Sequence, residues 1–141
     1  MRIYDGELNF KRKLILAVDF DGTITNENCW YYANEIKPNA KEVINFLHDI
    51  LNVEIIIWTC RDNYYFDGLN VAIDFLKYHD IHYDCINRNA NIIIEKWKND
   101  SRKIFADFYI DDKSFLYEPI DWLKIKDFII KHKNKHKDKY I

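Results

Sequence analysis

The chain has 141 residues, about the length of one domain, and its 48% apolar and 31% charged content fits neither a disordered nor a fibrous protein. No apolar run approaches the ~20 residues that span a bilayer, and the opening residues Met1-Arg2-Ile3-Tyr4-Asp5-Gly6-Glu7 lack a secretory pattern, which points to the cytosol. Formal net charge is −2, but residues 131–141 hold five lysines and one aspartate, leaving the body at −6 and disfavouring extended nucleic-acid binding there.

The predicted elements alternate. Leu14-Ile15-Leu16-Ala17-Val18 is a continuous apolar run that suits a strand buried on both faces, and it stops at Asp19-Phe20-Asp21-Gly22. Pro38 opens a helix whose apolar residues Ala40, Val43, Ile44, Leu47 and Leu51 recur at three- and four-residue spacings. Residues 53–58 form a second β-branched strand ending at Thr59-Cys60-Arg61-Asp62. A helix follows over about 66–79, then a short strand near 83–86. Residues 91–97 read as a helix, although their isoleucine triplet also suits a strand. Residues 105–110 form a last strand that stops at Asp111-Asp112, residues 119–133 a closing helix, and 131–141 a frayed basic end. With three glycines, two prolines and no linker-like stretch, residues 1–141 read as a single domain. Such alternation predicts a doubly wound, Rossmann-like α/β fold: a mostly parallel sheet with helices on both faces, binding ligands at the carboxyl ends of its strands.

That edge is where the chemistry collects. Asp19 and Asp21 follow the first strand, Thr59 the second, and Asp111 and Asp112 the last. Two carboxylates ~4 Å apart repel by about 4 kcal/mol at an effective dielectric of 20, so converging carboxylates need protons or a cation. Oxygen donors without His or Cys favour a hard ion, and Mg2+ is the leading cofactor. Cys29, Cys60 and Cys85 have no C-x-x-C spacing and suggest neither a disulfide nor a zinc site. A cysteine-phosphatase loop is excluded as well, because Phe66 stands where Cys60 would need an arginine.

Asp19-Phe20-Asp21-Gly22-Thr23 after an apolar strand, then Thr59, Lys103 and Asp111-Asp112, resembles the ordered motifs of the haloacid dehalogenase-like superfamily over residues 14–113. The resemblance implies that Asp19 is a nucleophile forming an aspartyl-phosphate and that Asp21 is the general acid and then base. It further implies that Asp19, the Asp21 carbonyl and Asp112 hold Mg2+, with Asp111 an alternative one residue away. Thr59 and the neighbouring backbone of Gly22 and Cys60 would hold phosphate oxygens, and Lys103 would neutralise phosphate and nucleophile. Arg61 has two readings, a bidentate contact to substrate or a structural ion pair.

An acid/base at position 21 marks the phosphatases of that superfamily rather than its dehalogenases. Only 31 residues separate Thr23 from Ile55 and 43 separate Thr59 from Lys103, too few for a large cap domain. Capless members act on macromolecules, or on small substrates covered by an oligomeric neighbour or a short flap, here residues 26–32. The expected substrate is a phosphorylated small molecule, such as a nucleotide or sugar phosphate, or a nucleic-acid end. Two other readings stand beside hydrolysis: phosphoryl transfer to another acceptor, and a non-catalytic phosphate- or partner-binding module.

Overall fold

The computed structural model describes residues 10–26, 33, 35–115 and 118–141. Cys29 and all of the predicted flap except Asn26 lie outside the described residues. Among the described residues, strands β1 (Ile15–Val18), β2 (Glu54–Ile57), β3 (Cys85–Ile86) and β4 (Phe108–Ile110) form one parallel sheet in the order β3-β2-β1-β4. Between and after them run helices α1 (Ala40–Asp49), α2 (Gly68–Tyr78), α3 (Asn91–Trp97) and α4 (Trp122–Lys135).

The side-chain alternation of a strand divides β1 and β2 between two cores. Leu16, Val18, Ile55 and Ile57 pack with Val43, Ile44 and Leu47 of α1, Ala72 and Leu76 of α2, and Trp122 and Ile129 of α4. Ile15, Ala17 and Ile56 face the opposite way, onto Ala90, Ile93, Ile104 and Ala106. Burying each large aliphatic side chain is worth about 1.5–3 kcal/mol, so a sheet apolar on both faces is stable only when helices cover both. This is the doubly wound α/β architecture expected, and the described residues include no large cap domain. No helix among the described residues is long and apolar enough to cross a membrane.

Register fixes the carboxyl edge: Val18 lies opposite Ile57 on one side and Ile110 on the other. The chain runs outward from β1 to β2 to β3, then returns to place β4 on the far side of β1. The reversal therefore falls between β1 and β4, the position where open α/β sheets bind ligands.

Three elements differ from expectation. The last strand begins at Phe108 rather than 105, because Phe105 N–H donates to the Asn89 side chain and Ala106 N–H to the Tyr109 hydroxyl. Pro38 precedes α1 instead of lying in its first turn, and Asn39 takes the N-cap at φ 66°. The chain end is docked rather than frayed. Tyr140 is buried, Ile141 N–H donates to the Arg12 carbonyl at 2.8 Å, and Lys133 Nζ donates to the Leu51 carbonyl. Its anchor is a buried ion pair in which Arg12 donates twice to Asp107, at 2.7 and 2.8 Å, while Asp107 also accepts from Ile15 N–H and the Tyr140 hydroxyl.

Candidate active site at the carboxyl edge of the sheet

Asp19 continues the β1–β4 ladder for one residue, its N–H donating to the Ile110 carbonyl at 2.9 Å. The chain then turns sharply, with Thr23, Ile24 and Thr25 N–H all directed at the Phe20 carbonyl. Gly22 is required there twice over: its φ is +78°, and a Cβ would lie 2.3 Å from Asp112 Oδ2. The turn buries Thr23 completely, and the Trp122 indole N–H of α4 holds the Thr23 carbonyl at 3.0 Å.

The Thr23 hydroxyl sits between the two acidic strand ends. It donates to Asp19 Oδ2 at 3.1 Å, lies 3.5 Å from Asp112 Oδ1, and accepts the Asp112 N–H at 3.1 Å. Asp111 is steadied by its own turn, its carboxylate accepting Lys113 N–H and its carbonyl accepting the Ser114 hydroxyl. Carboxylate oxygens of Asp19, Asp111 and Asp112 all lie within 4.8 Å of one another. Burial, then the Asp111 charge and contact with Asp112, push the Asp19 carboxyl up to about 7, against the opposing Thr23 hydroxyl bond. Three hard oxygen donors that repel one another fit a small divalent cation, and both Asp111 and Asp112 reach the group.

Asp21 points elsewhere. Its two oxygens accept a bidentate fork from Arg61, Nε and Nη2 each at 2.8 Å, and Arg61 also donates to the Gly68 carbonyl and lies over the Phe20 ring. Arg61 is 1% exposed. The substrate-facing reading of Arg61 is thereby corrected: the guanidinium is drawn inward because Asp21 offers a buried charge that matches its fork. The Asp21 side chain correspondingly stands outside the carboxylate group.

Thr59 follows β2 on the same edge, with Trp58 N–H donating to the Val18 carbonyl. Its N–H donates to Asn87 Oδ1 at 2.8 Å and its hydroxyl accepts Arg61 N–H at 3.1 Å, leaving Cys60 exposed at the turn. Lys103 is not brought into the group: its ammonium lies 5.6 Å from the Tyr109 ring, and among the described residues it pairs with none of the three carboxylates. Lys113 comes nearer, 4.0 Å from Asp112 Oδ2 on an exposed stem.

Three contributors escaped the sequence reading. Thr23 was visible as the last residue of the acidic motif, and Lys113 as the neighbour of the aspartate pair. Asn87, at φ 54° just past β3, braces the Thr59 loop, and an asparagine closing a short strand was its signal. Beside the carboxylates a groove of about 310 Å³ opens, lined by Gly22, Asn26, Lys37, Asp112, Glu118, Pro119 and Ile120.

No protein-family model matches the chain, and no curated protein does. Among solved structures it is similar to a conserved protein of Bacteroides thetaiotaomicron, at 29% identity and a TM-score of 0.71. That likeness covers 86% of this chain and 93% of the other, which supports the fold over nearly its full extent.

Proposed function

We propose that the chain is a Mg2+-dependent phosphomonoester hydrolase that carries the phosphoryl group on Asp19. One observation supports this above all: Asp19, Asp111 and Asp112 meet around the buried Thr23 hydroxyl where strand order reverses. In this reading the three carboxylates would hold the ion together with the Asp21 backbone carbonyl, leaving the Asp21 carboxyl for proton transfer. The bound ion supplies neutralisation of charge on the phosphoryl oxygens.

In the first step a carboxylate oxygen of Asp19 attacks phosphorus, the ester P–O bond breaks, and the leaving oxygen takes a proton from Asp21. Water then attacks the same phosphorus and gives its proton to Asp21, and the bond to Asp19 breaks to release phosphate. Asp21 acts in either step only after its carboxylate leaves the Arg61 fork, and it takes up a proton from solvent before the first step. Thr59 and the Cys60 amide bind phosphoryl oxygens, with Lys113 or a reoriented Lys103 as the cation. The substrate is a phosphorylated small molecule or a nucleic-acid end, and a second copy of the chain is one means of covering the open edge.

The test is phosphate release from nucleotides, sugar phosphates and end-phosphorylated oligonucleotides, by wild type and Asp19→Asn, with Mg2+ or chelator. Release that needs both Asp19 and the ion is the expected result. The Arg61 fork on Asp21 favours one other reading, a cation- and phosphate-binding module without turnover. Mg2+ binding with silence across the panel would select it.

A further inference from the structure

At the opposite edge of the sheet, where α1 ends and the chain approaches β3, two histidines share one carboxylate. Asp49 Oδ1 lies 2.7 Å from His48 Nδ1, and Asp49 Oδ2 lies 2.8 Å from His82 Nδ1. The outer nitrogen of each ring meets a separate carboxylate: His48 Nε2 is 3.0 Å from Asp84 Oδ1, and His82 Nε2 is 3.2 Å from Asp80 Oδ1. One ligand atom from each of His48, Asp49 and His82 lies within 4.8 Å of the other two. We propose that His48, Asp49 and His82 form a second metal site, for a borderline transition ion such as Zn2+, distinct from the acidic group at the carboxyl edge.

Two features carry this. The donor set of two imidazoles and a carboxylate suits zinc-like ions and differs from the all-oxygen set around Asp19. More specifically, a metal-bound histidine characteristically donates its other ring N–H to a carboxylate, and both rings have that partner already in place. Asp84 is itself fixed, its second oxygen accepting Ile55 N–H of β2 at 2.8 Å. The His82 backbone is fixed as well, its N–H donating to the Asn45 side chain of α1. The ion would replace protons now shared between the rings and Asp49, and would tie the end of α1 to the segment entering β3. Solvent completes the coordination, since all three ligands are partly open to water.

The test is Zn2+ titration of the full chain in excess Mg2+, added to fill the acidic group on the reading proposed above, followed by NMR of the imidazole nitrogens. The chain has five histidines, and His132 and His136, whose rings lie 4.5 Å apart and tilted on α4 and its end, are the competing pair. One equivalent of Zn2+ is expected to shift the ring signals of His48 and His82 and leave those of His132 and His136 in place. His82→Gln is expected to abolish this binding, Asp84→Asn to weaken it by about 10–100-fold, and His136→Gln to leave it unchanged. Shifts confined to His132 and His136, or Zn2+ affinity equal in wild type and His82→Gln, would overturn the proposal. The wild-type spectrum decides the matter even where a variant fails to fold.

Discussion

A single hydroxyl organises the acidic group, and its removal is the sharpest test at the scale of one residue. Thr23→Val keeps the volume but leaves the Asp112 N–H and Asp19 Oδ2 without their partner. Each buried unsatisfied group costs about 1–3 kcal/mol, so the variant is expected to lower the denaturation midpoint and to weaken Mg2+ binding in calorimetry. Unchanged Mg2+ affinity would remove Thr23 from the site. Gly22→Ala meets both the positive φ and the Asp112 carboxylate, and is expected to lose Mg2+ binding even where it folds. Arg61 belongs to a buried pair, so Arg61→Met alone is expected to destabilise by about 3–5 kcal/mol, with the Asp21→Asn/Arg61→Met double variant recovering part of that in urea unfolding. Equal stability of the single and double variants would contradict the pairing as drawn. At this scale Asp19, Asp111 and Asp112 were legible because short acidic motifs directly followed apolar runs. Arg61 was legible as a choice between substrate contact and ion pair, and its ion-pair reading is the one seen. The placement of Lys103 was not legible, since the side-chain partner of a long cation is chosen by tertiary neighbours, here Asp21 for Arg61 and the Tyr109 ring for Lys103.

Among the elements, the amino edge depends on Asp107 as the carboxyl edge depends on Thr23. Burial alone would raise the Asp107 carboxyl, but the Arg12 fork, Ile15 N–H and Tyr140 hydroxyl together hold it below the ordinary carboxylate range. Its folded-state affinity for protons is therefore lower than in the unfolded chain. The stability it contributes is present above the unfolded value of about 4 and is lost as pH falls through the folded one. Asp107→Asn is expected to be less stable at neutral pH and to show a shallower loss of stability under acid than wild type. Parallel acid limbs for the two proteins would contradict this. The same contacts explain why the chain end misled: lysine alternation is the pattern of a solvated helix, whereas Tyr140 and Ile141, at the very end, pin it to Arg12. Apolar runs did mark β1 and β2, whose faces are both buried. The Ile104-Phe105-Ala106 segment carries the same apolar signal but packs without pairing, because side chains of Asn89 and Tyr109 take its amides.

Across the whole molecule the two edges of the sheet differ in chemistry, the amino edge also carrying the His48–Asp49–His82 cluster and the Arg12–Asp107 pair. Acidic groups gather at the carboxyl edge, and the lysine-rich end of α4 lies by Arg12 and the Leu51 carbonyl at the other. Charge reversal at the exposed Lys135 and Lys137 is accordingly expected to leave phosphate release unchanged, and a drop in turnover would bring the basic end into the reaction. The open groove beside Asp112 and the switch between β1 and β4 make the acidic edge the working one in the proposed function. Its central claim is that the phosphoryl group passes through Asp19. The most direct measurement is mass spectrometry of the peptide containing Asp19, after acid quench of the Mg2+-loaded protein during turnover of its best phosphomonoester. A phosphoryl adduct on Asp19, absent from Asp19→Asn and from the chelated sample, is the expected result. Phosphate release by Asp19→Asn at the wild-type rate would contradict the account.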